Sequence, residues 1–564
     1  MTSRAARWGT VAAAAVPLGF LALFFVWPVA SLVVRGFVPD GAHAWNPAAW
    51  DFSGFSEVLA RSRTWRIVGL TIAQATVGTL LSVLLGLPGA YVLYRCRFPL
   101  RGLVRGLVTV PFVLPTVVVG VAFRSLLAEG GPLGGLGLDG TFAAIVAALV
   151  FFNYAVVVRT VGGFWAQLDP RAEEAAAALG ASPWRVLRTV TLPALAPAIA
   201  SAASLVFLFC ATAFGTVLIL GGNRFGTIET EIYLRTTQFL DLRSAAVLSV
   251  LQLVLVAVVL WVSSRARTSR ERALALAAPR RGERTVRLTR PADLAATVVT
   301  GLVVVGLLGW PMAHLLVRSL QTAGGAWTWQ NYVNLGAPGP RSGLTVTVWE
   351  AAATSLRTAL VAAALAVLVG GMIAFVVSRR PRSGSGRHAL RVLDAVFMLP
   401  LGVSAVTVGF GFLITMDRPL GLDLDLRTSG LLVPVAQAVV AIPIVVRTVL
   451  PVLRAVDPRM REAAAALGGS PWRVLRTVDG PLMARALGLA VGFAFAVSLG
   501  EFGATSFLAR PDTATLPVVV FRLIGRPGAE NYGTALAAAV VLAVLTASVM
   551  LMAERLRGDR HGDV

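Results

Sequence analysis

The sequence contains no lysine and only two cysteines, and these scarcities exclude several kinds of site. All 50 basic side chains are arginine. A Walker-type P-loop needs a lysine that reaches the β- and γ-phosphates of a nucleotide, so the chain carries no standard ATPase site of this kind. Cys96 and Cys210 lie far apart in the sequence, which excludes C-x-x-C metal and redox motifs.

Histidine is scarce as well. His43, His314, His388 and His561 are scattered, without the paired spacing that is typical of metal ligands. No combination of a nucleophile with a base stands out either. We therefore expect no metal site, no bound cofactor and no catalytic residue, and we expect that the chain is not an enzyme.

Charged residues are also few, at 14% of the sequence, whereas 56% is hydrophobic and the mean hydropathy is +0.76. An ordinary soluble domain has about 25% charged residues. Repeated apolar runs of about 18 residues or more are each long enough to cross the hydrocarbon of a bilayer. The composition therefore indicates an all-α, polytopic membrane protein.

Twelve spans are predicted, as two homologous halves of six transmembrane helices each. The halves are residues 1–270 and 291–564, and an arginine-rich cytoplasmic linker, 271–290, joins them. The predicted spans are 11–34, 67–94, 106–127, 141–160, 195–220, 244–264, 293–317, 351–377, 390–415, 430–452, 484–509 and 532–553.

Arginine placement predicts the orientation of these spans, because short loops rich in basic residues stay in the cytoplasm. Segment 265–290 holds nine arginines and two acids, whereas 128–140 holds no arginine. We therefore expect a multi-pass membrane protein with both termini in the cytoplasm. The formal charge of +22 then reflects topology and lipid contact, and we expect no nucleic-acid partner. The arginine-rich loops that follow the second span of each half contain Arg95, Arg97, Arg101 and Arg105, and Arg379, Arg380, Arg382, Arg387 and Arg391.

An internal repeat is the strongest pattern in the sequence. Residues 174–190 read EAAAALGASPWRVLRTV and residues 462–478 read EAAAALGGSPWRVLRTV, so sixteen of seventeen positions match at an offset of 288. Each copy lies in a predicted cytoplasmic loop between the fourth and fifth spans of its half. The flanking spans have diverged, which favours a partner surface shared by the two loops.

Each repeated loop is predicted to fold as two short helices. Asp169 and Asp457 are suited to cap the first helix, and Gly180 and Gly468 are suited to end it. The second helix then starts after a Ser-Pro pair.

The repeat resembles the coupling-loop motif of permease subunits of bacterial ABC importers, E-A-A-x3-G-x9-hydrophobic-x-L-P. In the second copy Gly480 replaces the leucine of this motif. The matching residues are Glu174, Ala175, Ala176, Gly180, Val190, Leu192 and Pro193 in the first copy, and Glu462, Ala463, Ala464, Gly468, Val478 and Pro481 in the second.

Two motif copies on one chain look like the fused permeases of the thiamine, ferric-ion and phosphonate import branch. The resemblance implies that each loop docks into a separate ATP-binding cassette ATPase subunit, which binds ATP and magnesium. It also implies an extracytoplasmic solute-binding protein as a partner, and import by alternating access. Thiamine and ferric ion both remain open as the cargo.

Glu501 is a carboxylate within a predicted span, and such groups are candidates for function because they are costly in hydrocarbon. Its equivalent in the first half is Ala213. Two roles are open, namely contact with a cationic cargo and hydrogen bonding between helices. Together with Glu501, the residues chosen as possible lining of the translocation path are Phe502, Gly503, Phe214 and Gly215.

A secondary transporter driven by an ion gradient is the alternative function, since such transporters also contain repeats. The doubled cytoplasmic loop distinguishes the two functions. An ion-driven carrier needs no pair of docking helices, whereas an ABC importer needs one for each ATPase.

Overall fold

The computed structural model describes residues 14–38, 50–222, 224–274, 286–287, 291–337, 343–378, 388, 393–394, 397 and 399–558. Several sequence features lie outside these described residues. They are His43, His561, most of the 271–290 linker and the arginines Arg379, Arg380, Arg382, Arg387 and Arg391.

Helices dominate the first half, as predicted. They are α1 (Ala14–Phe37), α2 (Ser53–Ala60), α3 (Ser62–Arg95), α4 (Arg101–Val113), α5 (Thr116–Leu127), α6 (Phe142–Trp165), α7 (Arg171–Ala178), α8 (Pro183–Ala211), α9 (Gly215–Leu220), α10 (Ile228–Thr237) and α11 (Leu242–Leu274).

The second half repeats this order. Its helices are α12 (Asp293–Ser319), α13 (Gln330–Val333), α14 (Val348–Val377), α15 (Ala405–Thr415), α16 (Leu432–Ala455), α17 (Pro458–Ala466), α18 (Pro471–Val474), α19 (Gly480–Leu499), α20 (Thr505–Leu508), α21 (Leu516–Ile524) and α22 (Ala529–Gly558).

Extended structure is minimal in the described part of the chain. Strands β1 (Cys96–Arg97) and β2 (Val286–Arg287) form one parallel pair. Both repeated loops lead into their next span through a π-helical turn, Leu187–Thr191 in the first half and Leu475–Asp479 in the second. The all-α class predicted from the sequence is confirmed.

Among the described residues, nine helices are long and apolar enough to cross a membrane, and a bent pair makes up to ten. The predicted span 484–509 contains a shorter apolar helix, Ala486–Leu499. The predicted span 390–415 lies partly outside the described residues, and α15 is its longest described helix. These two segments account for the difference from the twelve spans expected.

The predicted span 106–127 is not one straight helix. Its two parts, α4 and α5, meet at an angle of 102°. The break falls at Leu114 and Pro115, which are both extended. Proline lacks an N–H group and disfavours helical backbone in the residue before it, so the sequence itself breaks the helix here.

The predicted spans 195–220 and 484–509 are also interrupted, which corrects both boundaries. Helix α8 ends at Ala211, and α9 begins at Gly215, after three intervening residues. In the second half, α19 ends at Leu499 and α20 begins at Thr505. Glu501 therefore lies in the break after its helix and not inside the helix.

Buried amides satisfy the carbonyl groups at the end of α8. The Gln74 side chain on α3 donates a hydrogen bond to the Cys210 carbonyl oxygen at 2.9 Å, and Gln252 on α11 donates to the Ala211 carbonyl oxygen at 3.1 Å. Both glutamines are buried. A helix can end inside a membrane protein only where its last carbonyls find such partners.

Corresponding helices pack alike in the two halves. Helix α3 lies against α6 and α8, and α14 lies against α16 and α19 in the same way. The first helix of each half packs on its own half and also on the other half, since α1 contacts α11 and α15, and α12 contacts α22, α3 and α5. This exchange joins the halves into one body.

A substitution at Gly409 of α15 tests the packing between α15 and the break before α20. A Cβ at this position would lie 2.6 Å from the Ala504 Cα and 2.8 Å from its carbonyl oxygen. We expect Gly409→Ala to lower the free energy of unfolding by about 1–3 kcal/mol, the usual cost of overpacking. Thermal unfolding in detergent measures the change.

Gly488→Ala is the matched control, because a Cβ at Gly488 on α19 meets no atom within 4 Å. It should leave the unfolding temperature unchanged or raise it slightly, since alanine favours helix. Equal unfolding temperatures for the two variants would contradict the close approach at Gly409.

Candidate functional site

The first repeated loop has the two-helix form predicted for it. Asp169 accepts a hydrogen bond from the Arg171 backbone N–H at 3.0 Å, at the start of α7. Gly180 follows α7 with a φ of +83°, which glycine adopts without steric cost. The Ser182 hydroxyl then caps the first turn of α8, accepting from the Arg185 N–H at 3.4 Å.

The second loop reproduces this geometry with its own residues. Asp457 accepts from the Arg459 backbone N–H at 2.9 Å, and Gly468 has a φ of +80°. The Ser470 hydroxyl accepts from the Arg473 N–H at 3.3 Å. The sequence repeat is therefore also a repeat of local structure.

Most motif residues are exposed, as a docking surface requires. Ala176 and Ala464 are half-buried. The exposed members are Glu174, Ala175, Gly180 and Pro193 in the first loop, and Glu462, Ala463, Gly468 and Pro481 in the second.

Two large apolar residues in each loop were not selected from the sequence. Leu179 is 89% exposed and its equivalent Leu467 is 88% exposed, more than any other large hydrophobic residue that the structure describes. Trp184 and Trp472 are 68% and 71% exposed. Their presence at equivalent positions of both repeat copies is the sequence signal that could have identified them. Exposed apolar groups clustered in this way mark a contact surface.

The first helix of each repeated loop is held to its half by part-buried polar contacts, and the charges differ between the halves. Glu173 on α7 accepts from Arg95 at 2.9 Å and from the Thr191 hydroxyl at 2.8 Å. At the positions equivalent to Glu173 and Thr191, the second half has Arg461 and Asp479, whose Nε and Oδ1 atoms are 2.7 Å apart. The two positions thus hold an acidic and a hydroxyl side chain in the first half, and a basic and an acidic side chain in the second. In both halves they hold the first helix of the loop in place.

The five residues predicted to line a path come together in two groups. Phe214 and Phe502 stack with their ring centroids 5.4 Å apart and an interplanar angle of 17°. A Cβ on Gly215 would lie 3.1 Å from a ring carbon of Phe502, and a Cβ on Gly503 would lie 3.3 Å from a carboxylate oxygen of Glu501. Their role in lining the translocation path stays a prediction.

Glu501 caps the short helix α20. Its carboxylate accepts hydrogen bonds from the Ala504 N–H at 2.7 Å, the Thr505 N–H at 3.0 Å and the Thr505 hydroxyl at 2.5 Å. Gln437 on α16 in turn donates to the Thr505 hydroxyl at 3.4 Å. Of the two roles considered for Glu501, these bonds describe the structural one.

Glu229 is a second buried carboxylate, and it joins the two halves. It is fully buried at the start of α10 and accepts from the Ser404 hydroxyl at 2.9 Å. Ser404 also caps α15, where it accepts from the Thr407 N–H at 3.0 Å. A group of three or more His, Cys, Asp or Glu side chains placed to hold a metal ion is absent from the described residues.

Comparison with known proteins gives matches along the whole chain. The profile of a family described as the binding-protein-dependent transport system inner membrane component matches residues 78–268 and 379–559. The thiamine transport system permease protein ThiP of Brucella abortus is 28% identical, with 99% of each chain covered. ThiP of Escherichia coli is also 28% identical, with 91% of this chain and 92% of that protein covered.

A shorter relative matches less than half of this chain. The sulfate transport system permease protein CysT of Escherichia coli is 30% identical over 260 residues, which are 44% of this chain and 90% of that protein. The aligned length is the one expected if CysT corresponds to one of the two halves of this chain.

The charge reversal between the halves makes the fastening of α17 testable. Arg461→Glu removes the cation from Asp479, which is 1% exposed, and breaking a buried pair costs about 3–5 kcal/mol. We expect faster amide hydrogen exchange in α17. Arg461→Glu with Asp479→Thr copies the residues of the first half and should recover part of the protection.

Glu462→Gln is the control, because Glu462 is the exposed neighbour of Arg461 on the same helix. It should exchange at the rate of the unaltered protein. Unchanged exchange in the Arg461→Glu variant would mean that the pair does not hold α17 in place.

Proposed function

The chain belongs to the family of binding-protein-dependent transport system inner membrane components, and on that premise we propose which partners it engages and what it carries. It is the permease of an ABC importer and a multi-pass protein of the inner membrane. It is a transport component and not an enzyme. Both halves of the permease lie on one polypeptide. The partners, the orientation and the cargo are the proposed part.

We propose that two ATP-binding cassette ATPase subunits dock on the two repeated loops, one on each. The observation that carries this proposal is the pair of matching exposed surfaces around Leu179 and Leu467. Small alanine side chains beside each leucine permit close approach, and Glu174 and Glu462 offer a carboxylate to a basic group of the partner. ATP and magnesium would bind on the ATPases, since the permease lacks the P-loop lysine.

The two loops would lie in the cytoplasm, and so would both termini. Arginine bias supports this orientation, because loop residues such as Arg95 and Arg101 stand on the side of the membrane that retains basic loops. An extracytoplasmic solute-binding protein would then deliver cargo to the opposite end. If an ion gradient drove transport instead, the paired docking surfaces would have no function.

Thiamine is the proposed cargo. Relatives that match the chain over nearly its full length are thiamine permeases. The residues that we propose for the path include stacked Phe214 and Phe502, and aromatic faces attract cationic aromatic rings. Gly215 allows the close approach of the Phe502 ring, Gly503 allows the close approach of Ala405, and Glu501 caps the start of α20.

Docking is tested by Leu179→Asp combined with Leu467→Asp. Truncation of a central interface residue typically costs about 2 kcal/mol or more, so we expect a loss of ATPase co-purification by at least tenfold. Each single variant should retain the ATPase on the intact loop. Pull-down of the tagged permease measures the amount of ATPase that is retained.

Leu240→Asp serves as the matched control. Leu240 is 75% exposed but lies outside the loops, and its φ of +53° suits aspartate. Its ATPase content should remain normal. Co-purification that survives the double loop substitution would refute docking at these leucines.

The cargo is tested by uptake of labelled thiamine into cells that lack their own thiamine importer. Cells that express the complete system should accumulate thiamine, and Gly180→Val with Gly468→Val should abolish accumulation. Both glycines have a positive φ, and a β-branched residue there distorts the docking loops. Uptake that persists without the ATPase would refute ATP-driven import, and absence of thiamine uptake with intact ATPase docking would refute only the cargo.

A further inference from the structure

In the described structure, aromatic residues at equivalent positions of the two halves contact each other. The offset of 288 relates Phe214 to Phe502 and Tyr233 to Phe521. Phe214 stacks on Phe502 at 5.4 Å, and Tyr233 meets Phe521 edge-on at 6.5 Å. Two groups related by a two-fold rotation can touch only where the axis passes between them, so the pseudo-two-fold axis of the permease runs through these four rings.

The four rings form a closed unit, which we name the axial aromatic cluster: Phe214, Tyr233, Phe502 and Phe521. Within the first half Phe214 contacts Tyr233 at 5.3 Å, and within the second half Phe502 contacts Phe521 at 5.1 Å. Phe214 is 6% exposed and Phe502 is 2% exposed. Tyr233 and Phe521 are half-buried, so the buried rings of Phe214 and Phe502 form the centre of the cluster.

The axial aromatic cluster lies at the end of the permease away from the docking loops. Each loop leads into a helix of 20 residues, Leu192–Ala211 in the first half and Gly480–Leu499 in the second. At 1.5 Å per residue, each helix spans about 30 Å, roughly the thickness of the hydrocarbon. Phe214 and Phe502 follow directly, in the non-helical breaks.

The chemistry around the cluster suits a cation better than an anion. Glu229 lies one helical turn before Tyr233, and Glu501 precedes Phe502. The hydrogen bonds to these carboxyl groups come from hydroxyl, side-chain amide and backbone N–H groups, and no ion pair links either one to an arginine in the described part of the chain. Arg522, next to Phe521 in the sequence, is the cation nearest to the cluster along the chain.

We propose that the axial aromatic cluster is the closed gate of the translocation path at the end away from the ATPases, and that its ring faces select a flat organic cation when the halves separate. The selectivity rests on the proposed cargo, whereas the gate does not. Parting of Phe214 from Phe502 exposes two electron-rich faces at once. A cationic aromatic ring gains contact with both faces, and an oxyanion is repelled by them.

The gate is tested by cross-linking Phe214→Cys to Phe502→Cys in a chain whose Cys96 and Cys210 are replaced by serine. A protease site placed in the 271–290 linker lets the halves separate on a denaturing gel unless the cross-link joins them. We expect a short bifunctional thiol reagent to join them in the resting complex and to stop uptake. Cleavage of a reducible cross-link should restore uptake.

Leu179→Cys with Leu467→Cys is the control pair, equivalent by the same repeat and far more exposed. It should remain uncrosslinked, because the two residues stand on separate docking loops. Cross-linking of the control but not of the Phe214 and Phe502 pair would overturn the placement on the axis. A cross-link there that leaves uptake unchanged would overturn the gate.

Selectivity is tested by Phe214→Leu with Phe502→Leu, which keeps apolar volume and removes both ring faces. We expect kcat/KM for labelled thiamine uptake to fall about tenfold, the effect of cation–π contacts worth about 1.4 kcal/mol together. ATP hydrolysis by the complex, stimulated by the binding protein, should stay normal. Phe214→Tyr with Phe502→Tyr keeps the ring faces and should therefore lose less thiamine uptake than the leucine variant.

The outcomes separate the selectivity from the function on which it rests. Normal thiamine uptake by the leucine variant would overturn ring recognition while the importer function stands. Loss of stimulated ATP hydrolysis together with uptake would assign the rings to the conformational change alone, which also overturns recognition. If the unaltered complex transports sulfate in place of thiamine, the cation selectivity fails with the cargo, and the cross-link still decides the gate.

Discussion

Hydrocarbon offers no hydrogen bonds to a polypeptide backbone, and this constraint governs where the chain can leave the helical state. The interruptions in this permease occur where protein atoms supply the missing partners. At the end of α8, the Gln74 and Gln252 amides bond the Cys210 and Ala211 carbonyls. At the start of α20, the Glu501 carboxylate receives the free backbone N–H groups. Buried polar side chains inside the spans thus have a structural cause, and they permit the breaks that bring aromatic rings to the axis.

Duplication followed by divergence explains how the halves share a shape without sharing these solutions. Glu173 and Thr191 hold the first docking helix, and Arg461 and Asp479 hold the second. In the break within the predicted fifth span, glutamine amides bond the carbonyl groups at the end of α8 in one half, and Glu501 bonds the N–H groups at the start of α20 in the other. The exposed docking motifs, in contrast, remain nearly identical. The proposed partner would constrain the exposed surface, whereas an internal contact is free to change if both of its members change together.

Much of the site was predictable because its signals are local. Caps, a positive-φ glycine and an alanine run determine a short helix pair within a few residues, so the docking loops at Gly180 and Gly468 followed from the sequence. Leu179 and Leu467 were visible in the repeat but indistinguishable from core leucines, because exposure depends on what surrounds a residue. The breaks beside Phe214 and Phe502 were missed, because their apolar sequence resembles a continuous span and their stability depends on amides more than a hundred residues away in some cases.

The sequence by itself determined the membrane class, the two halves and the position of both docking loops, since hydropathy, arginine bias and self-similarity are properties of the chain that need no partner. Only the tertiary structure decided which equivalent residues meet. Phe214 and Phe502 are 288 positions apart, and nothing along the chain requires that they touch. The packing of one half on the other places them on a common axis, because a pseudo-two-fold arrangement brings equivalent groups together only at its centre.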